Sequence, residues 1–494
     1  KHTAAPCPPP PGEPPPVPPP ARLREHHFFP ASRRAHKPSD CQSYEITGPV
    51  DKPEVPLPHG VVKEPVRILV IGGGHAGTYT ALRLERLLRA AGAPRAEVRL
   101  VTPEPYLTYR PLLAAAAAGT LSPRHVLVPL RRVLRTTRLL LGEAVSLDLA
   151  TRTAYVRTPA GPEAAPVPYD ALVLTPGTTP APPPPHALAL HSLADALALR
   201  SHVLAQLDLA SSTRDPAVRE AALCFVFLGG GCAGVDALTA LRAMAERVLS
   251  QYPGLHRDDL RWVLAEPGER LLPEAPANAG TYASRALRRG GAEIRLGAAP
   301  RTYRPGLLVL DDGDSLATRT LVHTPSAVRA PGAPPHPLLT TPALPLTPDG
   351  RLRCTRDLAV SGTPHTWAAG DSAAVPDPGT PGATCAPHAG HAHGQAHVLA
   401  DNLLATLRGE PTRPYDAKNE GLYVALGPHD GLARLHGRTL TGRPGALLLR
   451  AHHLSRLPTA RRKGRVLTEW AFAALFPREP VALGTPGTEP GEPP

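Results

Sequence analysis

The chain of 494 residues lacks several features that mark common protein classes. Its six cysteines never form a C-x-x-C or C-x-x-x-x-C pair; they are Cys7, Cys41, Cys224, Cys232, Cys354 and Cys385. Enzymes that reduce disulfides through their own cysteines need two thiols within exchange range, so this class is disfavoured. Isolated thiols also fit a reducing compartment.

Long apolar runs are absent as well. No uninterrupted apolar stretch reaches the roughly 18 residues that a membrane-spanning helix requires. The opening residues lack the apolar core of a secretory signal. We therefore expect a cytoplasmic protein that is soluble or peripherally attached to a membrane.

Lysine and aromatic residues are scarce, whereas arginine is abundant. Lysine and arginine together number 54, the aromatic content is 4%, and the formal net charge is +12. No basic stretch is interleaved with aromatic residues, so nucleic acid is not expected as a partner. An anionic lipid surface or an anionic cofactor would suit this charge.

Proline dominates both ends of the chain, which contain little apolar periodicity. Residues 1–64 include the run Pro-Pro-Pro-Pro-Gly-Glu-Pro-Pro-Pro, and residues 481–494 have a similar composition. Such segments bury too little apolar surface to offset the entropy of ordering. Both are predicted to be disordered tails.

Two glycine fingerprints of the form G-x-G-x-x-G stand out, at Gly72, Gly74 and Gly77 and at Gly229, Gly231 and Gly234. Strand-like runs at 66–71 and 223–228 precede them, and helical patterns at 78–90 and 235–249 follow. The first glycine permits a tight turn, the second admits a pyrophosphate, and the third lets helix and strand pack closely. The helix N-terminus then offers N–H groups to the phosphates. Two dinucleotide sites are predicted.

Residues at the ends of the next strands indicate which dinucleotide each site takes. Glu266 ends the strand after the second fingerprint, where a carboxylate bonds the adenosine ribose and repels a 2′-phosphate. NADH is therefore favoured over NADPH, although Arg270 lies close enough in sequence to weaken the preference, and a structural Glu266 is the alternative. After the first fingerprint, Thr102 holds this position. Glu104 is two residues further on. The sequence favours neither of two alternatives for its carboxylate, a contact with the ribose or a position in solvent.

Two further strand-to-turn units complete the pattern. Residues 169–178 form a buried strand that runs into a turn at Gly177, and residues 357–369 lead to Gly370 and Asp371. A carboxylate after a glycine at the carboxyl end of a parallel strand is well placed to bond ribityl hydroxyls. Asp371 is therefore predicted to bind a flavin.

Together these motifs resemble a known family. Residues 67–77, 169–177, 225–236 and 367–376 are similar, in order and spacing, to the FAD/NAD(P)-dependent pyridine nucleotide oxidoreductases. The motif order, the missing cysteine pair and the C-terminal segment further resemble type II NADH dehydrogenases. The resemblance implies a flavoprotein that passes hydride from NADH to FAD and then electrons to a membrane quinone, without pumping protons. A flavin reductase with a soluble acceptor and a nucleotide-binding flavoprotein without efficient turnover are the alternatives.

The resemblance also implies roles for individual residues. It assigns FAD to Gly72, Gly74, Gly77, Thr102, Glu104, Gly177, Gly370 and Asp371. It assigns NADH to Gly229, Gly231, Gly234 and Glu266. Asp236 stands where the family usually has a glutamate near the nicotinamide, and Gln395 matches a glutamine of the quinone tunnel. These two are the catalytic candidates.

The implied fold class is α/β, with two Rossmann-like domains and the NADH domain inserted in the FAD domain. The predicted boundaries are 65–188 and 336–410 for the FAD domain, 189–335 for the NADH domain, and 411–480 for a C-terminal domain.

A long helix is predicted from Thr384–Pro387 to Leu407. It carries four histidines, namely His388, His391, His393 and His397. No carboxylate or cysteine completes a metal site there, so polar surface histidines are expected instead.

The C-terminal segment combines apolar, aromatic and basic residues. Residues 447–457 are apolar with basic interruptions, and they are followed by the basic run 461–465 and the apolar run 470–476. This pattern is typical of an amphipathic segment on an anionic bilayer, here the inner face of the cell membrane. A homodimer or domain contact is the alternative.

Four positions depart from the family pattern. Ala114 and Ala115 replace a proline and a glutamate, Gly390 replaces a glutamine of the quinone tunnel, and Ser326 stands where glycine is usual. The replacements at Ala115 and Gly390 favour the alternatives to quinone reduction, whereas the basic and aromatic C-terminus favours it.

Overall fold

A computed structural model describes residues 64–90, 95–179, 181–324, 332–380, 382–416, 421–435, 438–476 and 481. The predicted tails lie outside these residues, apart from Glu64 and Val481, and so does Ser326.

The strands of the described residues are, in chain order, β1 (Val66–Ile71), β2 (Ala96–Thr102), β3 (Tyr106–Thr108), β4 (Leu127–Pro129), β5 (Arg138–Leu141), β6 (Glu143–Asp148), β7 (Thr153–Arg157), β8 (Ala164–Pro168), β9 (Ala171–Leu174), β10 (Leu188–Ala189), β11 (Cys224–Leu228), β12 (Arg261–Glu266), β13 (Ala292–Leu296), β14 (Pro300–Arg304), β15 (Leu307–Leu310), β16 (Ser315–Leu316), β17 (Thr320–His323), β18 (Leu352–Arg353), β19 (Thr366–Ala368), β20 (Ala373–Ala374), β21 (Leu422–Ala425), β22 (Gly431–Leu435) and β23 (Arg438–Thr441).

The α-helices are α1 (His75–Leu87), α2 (Leu113–Ala117), α3 (Leu130–Val133), α4 (Leu193–Ser212), α5 (Pro216–Leu223), α6 (Cys232–Val248), α7 (Ala277–Arg289), α8 (Ala389–Arg408), α9 (Gly442–Arg456) and α10 (Ala460–Leu475). Short 3₁₀ turns lie at Arg110–Leu112, Pro123–His125, Leu249–Gln251, Arg257–Asp259, Pro337–Thr340 and Gly370–Ser372. None of these helices has the length and apolar character needed to span a bilayer.

A parallel sheet with the order β19-β9-β1-β2-β5 carries the first fingerprint. Every residue of β9 is buried, as expected for a strand covered on both faces. Helices α1 and α8 lie together on this sheet, and Arg83 of α1 donates to Asp401 of α8 at 2.8 Å. Leu69, Val70 and Leu172 are among the fully buried residues of its core.

A second parallel sheet with the order β10-β17-β11-β12-β13 carries the second fingerprint. Its core contains stacked aromatic side chains, with the rings of Phe225 and Trp262 centred 4.5 Å apart. All strands of this sheet lie between β9 and β19 in sequence, so the chain leaves the first sheet, builds the second and returns. The predicted α/β class is confirmed; the domain boundaries stay predictions.

Antiparallel layers flank the two sheets, and one of them begins the C-terminal part. Strands β21, β22 and β23 form a meander on which α9 packs. A Cβ atom on Gly431 would lie 2.8 Å from the Cα of Ala446, and one on Gly445 would lie 2.1 Å from the carbonyl oxygen of Gly431. The two glycines therefore allow direct backbone contact between strand and helix.

Three predicted helix starts are wrong, and in α8 a side-chain cap explains the difference. Helices α1 and α6 begin three residues earlier than their patterns indicated, directly after Gly74 and Gly231. Helix α8 begins at Ala389, not at Thr384–Pro387. The His388 side chain accepts hydrogen bonds from the N–H groups of the next turn, and this N-cap ends the preceding loop.

Candidate functional site

Backbone contacts build the first fingerprint. Gly72, just after β1, has a φ of +107°, and a Cβ atom there would lie 2.1 Å from the carbonyl oxygen of Thr175. A Cβ atom on Gly77 would lie 1.9 Å from the carbonyl oxygen of Gly72. The Thr175 hydroxyl donates to the carbonyl oxygens of Ile71 and Gly72 at 2.8 and 3.2 Å. Only glycine lets the turn and the helix approach this closely.

The middle glycine of the first fingerprint faces open space. Gly74 is exposed, precedes α1, and has no side chain capping the helix. A Cβ atom there would meet no described atom within 4 Å. Free N–H groups and open space at a helix N-terminus form a cradle that fits a pyrophosphate.

The second fingerprint repeats this construction. Gly229 has a φ of +108°, and a Cβ atom there would lie 1.9 Å from the carbonyl oxygen of Thr324. A Cβ atom on Gly234 would lie 1.9 Å from the carbonyl oxygen of Gly229. The Thr324 hydroxyl donates to Leu228 and Gly229 at 2.9 and 3.3 Å. The two cradles therefore share one backbone design.

A carboxylate that the sequence reasoning missed lies at the N-terminus of α6. Glu274 Oε1 accepts a hydrogen bond of 2.6 Å from the N–H of Cys232, the first residue of the helix. A Cβ atom on Gly231 would lie 3.3 Å from the same oxygen. Glu274 belongs to a loop far along the chain, so only its position in space reveals the contact. The only sequence feature that pointed to this contact was the presence of an acidic residue, Glu274 itself, in the loop after Glu266.

Glu266 ends β12 and is buried beside the second fingerprint. Its Oε2 accepts from the N–H of Gly230 at 2.6 Å, and its Oε1 accepts from the N–H of Gly268 at 2.8 Å. The carboxylate is thus held at the strand end where an adenosine ribose would lie. Arg270 donates to the carbonyl oxygens of Leu272, Pro273 and Ala275. Its guanidinium is therefore committed to this loop.

Thr102 and Glu104 take different positions at the end of β2. Thr102 is buried directly beneath the first fingerprint, where a Cβ atom on Gly73 would lie 2.4 Å from its hydroxyl oxygen. That hydroxyl donates to the carbonyl oxygen of Glu104 at 3.2 Å. The Glu104 residue itself is exposed. Thr102 thus supports the turn, and Glu104 is an exposed loop carboxylate.

Gly370, Asp371 and Gln395 come together between α1 and α8. Gly370 has a φ of +75°, and a Cβ atom there would lie 2.9 Å from the Cβ of Ala76 at the start of α1. The buried Gln395 accepts a hydrogen bond of 2.8 Å from the N–H of Gly370 and so holds this turn. Burial raises the pKa of Asp371, against the opposing charges of two arginines. Gln395 therefore positions the turn that carries Asp371.

The other turn predicted beside this site is open. Gly177 follows β9 with a φ of +80°, and a Cβ atom there would meet no described atom within 4 Å. The assignment of Gly177 to a cofactor stays a prediction, as do the other binding roles.

Asp236 links the second fingerprint helix to the C-terminal sheet. Its Oδ1 accepts a hydrogen bond of 2.6 Å from the N–H of Ala425 in β21. Burial, together with the negative charge of Glu274, raises the pKa of Asp236 to about 8 against the opposing effect of the Ala425 hydrogen bond. The carboxyl group is therefore largely protonated near neutral pH.

Histidines and tyrosines form a cluster where α1, α8 and α9 meet. The ring centroids of His75 and Tyr109 are 5.2 Å apart, and those of Tyr79 and His393 are 4.4 Å apart. The Tyr109 hydroxyl lies 3.3 Å from Nδ1 of His453. Burial lowers the pKa of His75 and of His453 to about 4 and that of His393 to about 2, so these imidazoles are neutral.

The prediction of surface histidines on α8 is therefore wrong. His388, His391, His393 and His397 are all at least partly buried, because α8 lies between α1 and the C-terminal part. Across the described ranges, no group of three or more histidine, cysteine or acidic residues has the arrangement of a metal site. The cysteines at 224, 232, 354 and 385 are free thiols.

Three of the departures from the family pattern lie in described helices. Ala114 is buried in α2, and the neighbouring Ala115 accepts the Thr120 hydroxyl on its carbonyl oxygen at 3.0 Å. Gly390 lies in the first turn of α8 and donates its N–H to Nδ1 of His388 at 3.0 Å.

Comparisons with known proteins agree with this geometry. Type II NADH:quinone oxidoreductase Ndh of Mycobacterium tuberculosis is 26% identical over 426 residues, which cover 83% of this chain and 89% of that protein. The type II NADH:quinone oxidoreductase of Staphylococcus aureus is 24% identical over 394 residues, covering 77% and 92%. The solved structure of NDH2 from Plasmodium falciparum in complex with NADH shares the fold, with a TM-score of 0.72 at 15% identity over 85% of this chain and 100% of that one.

A comparison with protein-family models identifies the family of this chain. The model of the family described as pyridine nucleotide-disulphide oxidoreductase matches residues 66–396, which contain both fingerprints and Asp371. The resemblance noted from the sequence is therefore confirmed, and the chain belongs to the pyridine nucleotide-disulphide oxidoreductase family.

Proposed function

We propose that this protein is a flavoenzyme that oxidises NADH and passes the electrons to a membrane quinone. The observation that carries the proposal is a pair of dinucleotide cradles of one design in a chain whose sequence has no C-x-x-C or C-x-x-x-x-C pair and whose four described cysteines are free thiols. This supports an electron acceptor other than a disulfide. Relatives over most of the chain are named type II NADH:quinone oxidoreductases, which supports a quinone.

The first cradle fits FAD. Gly74 leaves the N-terminus of α1 open for the pyrophosphate, and Asp371 follows the turn that Gln395 holds. A flavin bound there would supply the redox chemistry, accepting hydride from NADH and releasing electrons to the quinone. The protein has to bind and orient the reactants, so no nucleophilic side chain is needed.

The second cradle fits NADH. Glu266 is held at the strand end, where its carboxylate would bond a ribose 2′-hydroxyl and repel a 2′-phosphate. Because Arg270 is engaged with three backbone carbonyl groups, it is not poised to accept a 2′-phosphate. This arrangement supports NADH over NADPH. Asp236, which the family resemblance assigns to the nicotinamide end of the cofactor, is largely protonated near neutral pH and would add little negative charge there.

Helix α10 supports attachment to an anionic bilayer on the inner face of the cell membrane. Leu467, Phe472, Leu475 and Phe476 are each more than half exposed. Basic residues at 461, 463 and 465 precede them on the same helix, whereas Arg462 donates to the carbonyl oxygens of Arg124 and His125. Apolar side chains that insert between lipids, next to cations that meet anionic headgroups, are typical of an interfacial helix.

Purified protein tests the function directly. We expect a flavin absorption spectrum, bleaching of that spectrum by NADH, and NADH consumption that accelerates when a short-chain quinone is added. The Gly77→Val variant should lose bound FAD, because a side chain there would collide with the Gly72 carbonyl oxygen.

Each result has a distinct meaning. Protein without flavin would contradict the proposal entirely. Flavin that NADH reduces but quinone does not reoxidise would leave a reductase with a soluble acceptor. Flavin that NADH does not reduce would indicate a nucleotide-binding protein without turnover.

A further inference from the structure

The two cradles differ at the atoms that would meet phosphate. At the first, Gly74 is exposed and the start of α1 carries no side-chain cap. At the second, Gly231 is buried, and Glu274 accepts the N–H of Cys232 at 2.6 Å. One helix N-terminus is therefore open, and the other already holds an anion supplied by the protein itself.

The loop that carries Glu274 is tied to the second fingerprint by its backbone. The N–H of Leu272 donates to the carbonyl oxygen of Gly230 at 2.8 Å. Arg270 bonds the carbonyl oxygens on both sides of Glu274, those of Pro273 at 2.8 Å and Ala275 at 2.7 Å. With the backbone held in this way, rotation of the Glu274 side chain is the simplest motion that clears the helix N-terminus.

The second oxygen of the Glu274 carboxylate is in a less favourable environment than the first. Glu274 Oε2 is buried and has no hydrogen-bond partner among the described residues. An unsatisfied carboxylate oxygen is costly to bury. The carboxylate thus accepts one strong backbone hydrogen bond and also interacts with the neighbouring Cys232 thiol, so its displacement by a ligand costs less than breaking a fully bonded network.

We propose that Glu274 is an internal competitor for the dinucleotide phosphates. Its carboxylate occupies the N–H group that a pyrophosphate would take, so NADH binds by displacing it. The inference rests on the proposed function in one respect, that the second cradle takes NADH. Two anions cannot share the helix N-terminus, and the affinity of the dinucleotide is therefore set below what the cradle alone would provide.

The asymmetry matches the different tasks of the two cradles. A flavin stays bound through many turnovers, so an open cradle suits it. NADH must enter and NAD⁺ must leave in every cycle, and a carboxylate that returns to Cys232 promotes release. Glu274 thereby acts as a residue that determines affinity and exchange, without touching the reacting atoms.

Calorimetric binding to the FAD-loaded protein tests this role. The probes are ADP-ribose, which carries the pyrophosphate, and adenosine, which lacks it. In the Glu274→Gln variant we expect about tenfold tighter ADP-ribose binding, as removal of one competing charge at a helix N-terminus should give. Adenosine binding should not change. Stopped-flow displacement should show correspondingly slower NAD⁺ release.

Glu269→Gln is the matched control, because Glu269 is an exposed carboxylate near the same loop. It removes the same charge and should leave both affinities unchanged. Flavin absorbance and melting temperature verify that each variant is folded and loaded.

The outcomes separate this inference from the proposed function. Equal ADP-ribose affinity in the native protein and Glu274→Gln would overturn the inference while leaving the NADH site in place. An equal gain for adenosine, or an equal gain in Glu269→Gln, would also overturn it, since the effect would not be specific to phosphate. Absence of ADP-ribose binding in every protein would overturn the NADH site as well.

Discussion

At the third glycine of each fingerprint, the requirement for glycine comes from the protein's own backbone. A Cβ atom on Gly77 or Gly234 would lie 1.9 Å from a carbonyl oxygen of the preceding turn. Such a requirement is local, so the spacing of glycines predicts it. The position of Glu274 is different, because it depends on how a loop folds back over the helix. The role of a single residue could therefore be predicted from sequence where its contacts lie within a short segment of the chain.

Asp236 leads to a prediction about pH. Burial raises its pKa to about 8 from an ordinary value of 3.8, so the native state keeps a proton that the unfolded chain releases from about pH 4 upward. The unfolded state binds fewer protons in this window, and the free energy of unfolding contributed by Asp236 therefore falls as the pH rises from about 4 to about 8. Relative to Asp236→Asn, the native protein should lose about 1.4 kcal/mol for each pH unit between pH 5 and 7.

Urea unfolding of both proteins across this range gives the comparison. Asp258→Asn, at an exposed position, controls for the loss of one carboxylate. Parallel stability curves for the native protein and Asp236→Asn would contradict the elevated pKa.

At the scale of elements, α10 is anchored on one face and leaves an apolar face open. Glu469 accepts the N–H of Ser122 at 2.6 Å and pairs with His125 at 2.5 Å. Val466 is completely buried beside these contacts. The amphipathic pattern predicted such a segment from sequence alone. The Glu469 carboxylate points inward and so decides which face of α10 is exposed. The sequence alone does not distinguish Glu469 from a solvent-facing residue.

The exposed face of α10 gives a prediction about membranes. The triple variant Phe472→Ser, Leu475→Ser and Phe476→Ser should bind anionic phospholipid vesicles at least about tenfold more weakly, because each large apolar side chain contributes roughly 1.5–3 kcal/mol on burial. Sedimentation with vesicles measures the loss. Leu296→Ser, which removes an exposed apolar side chain of β13, should have no effect.

A dimer contact is the competing use of this face. If the native protein is a dimer that ignores vesicles, and the triple variant is a monomer by light scattering, then α10 is a subunit interface and the membrane proposal is wrong.

For the whole molecule, the set of enclosed neutral histidines governs the response to acid. Burial lowers their pKa values, to about 4 for His75, His202, His391 and His453, about 3 for His388 and His452, and about 2 for His393. Unfolded histidines take up protons below about pH 6.5. The stability they contribute is therefore fully present above that pH and is lost as the pH falls toward 4.

We accordingly expect cooperative unfolding with flavin release between about pH 6 and 4, where each histidine contributes up to about 1.4 kcal/mol for each pH unit. Asp236 and Asp371, whose pKa values are raised by burial, contribute the opposite trend, but they are two groups against seven. Circular dichroism and free-flavin fluorescence across the range measure the transition. A melting temperature that stays constant from pH 7 to pH 4.5 would show that these histidines are not held neutral.

The sequence by itself determined the two cradles, their order and the family, because strand, glycine turn and helix are encoded within some 20 consecutive residues. Only the tertiary structure decided what surrounds them. The pairs Glu274 with Cys232, Asp236 with Ala425 and Glu469 with Ser122 join residues far apart in the chain. The α8 histidine His393 became partly buried when Tyr79 of α1 and Arg456 of α9 packed against it, and His391 when Tyr415 contacted it. Such contacts arise from the packing of whole elements, and a local pattern of residues does not contain them.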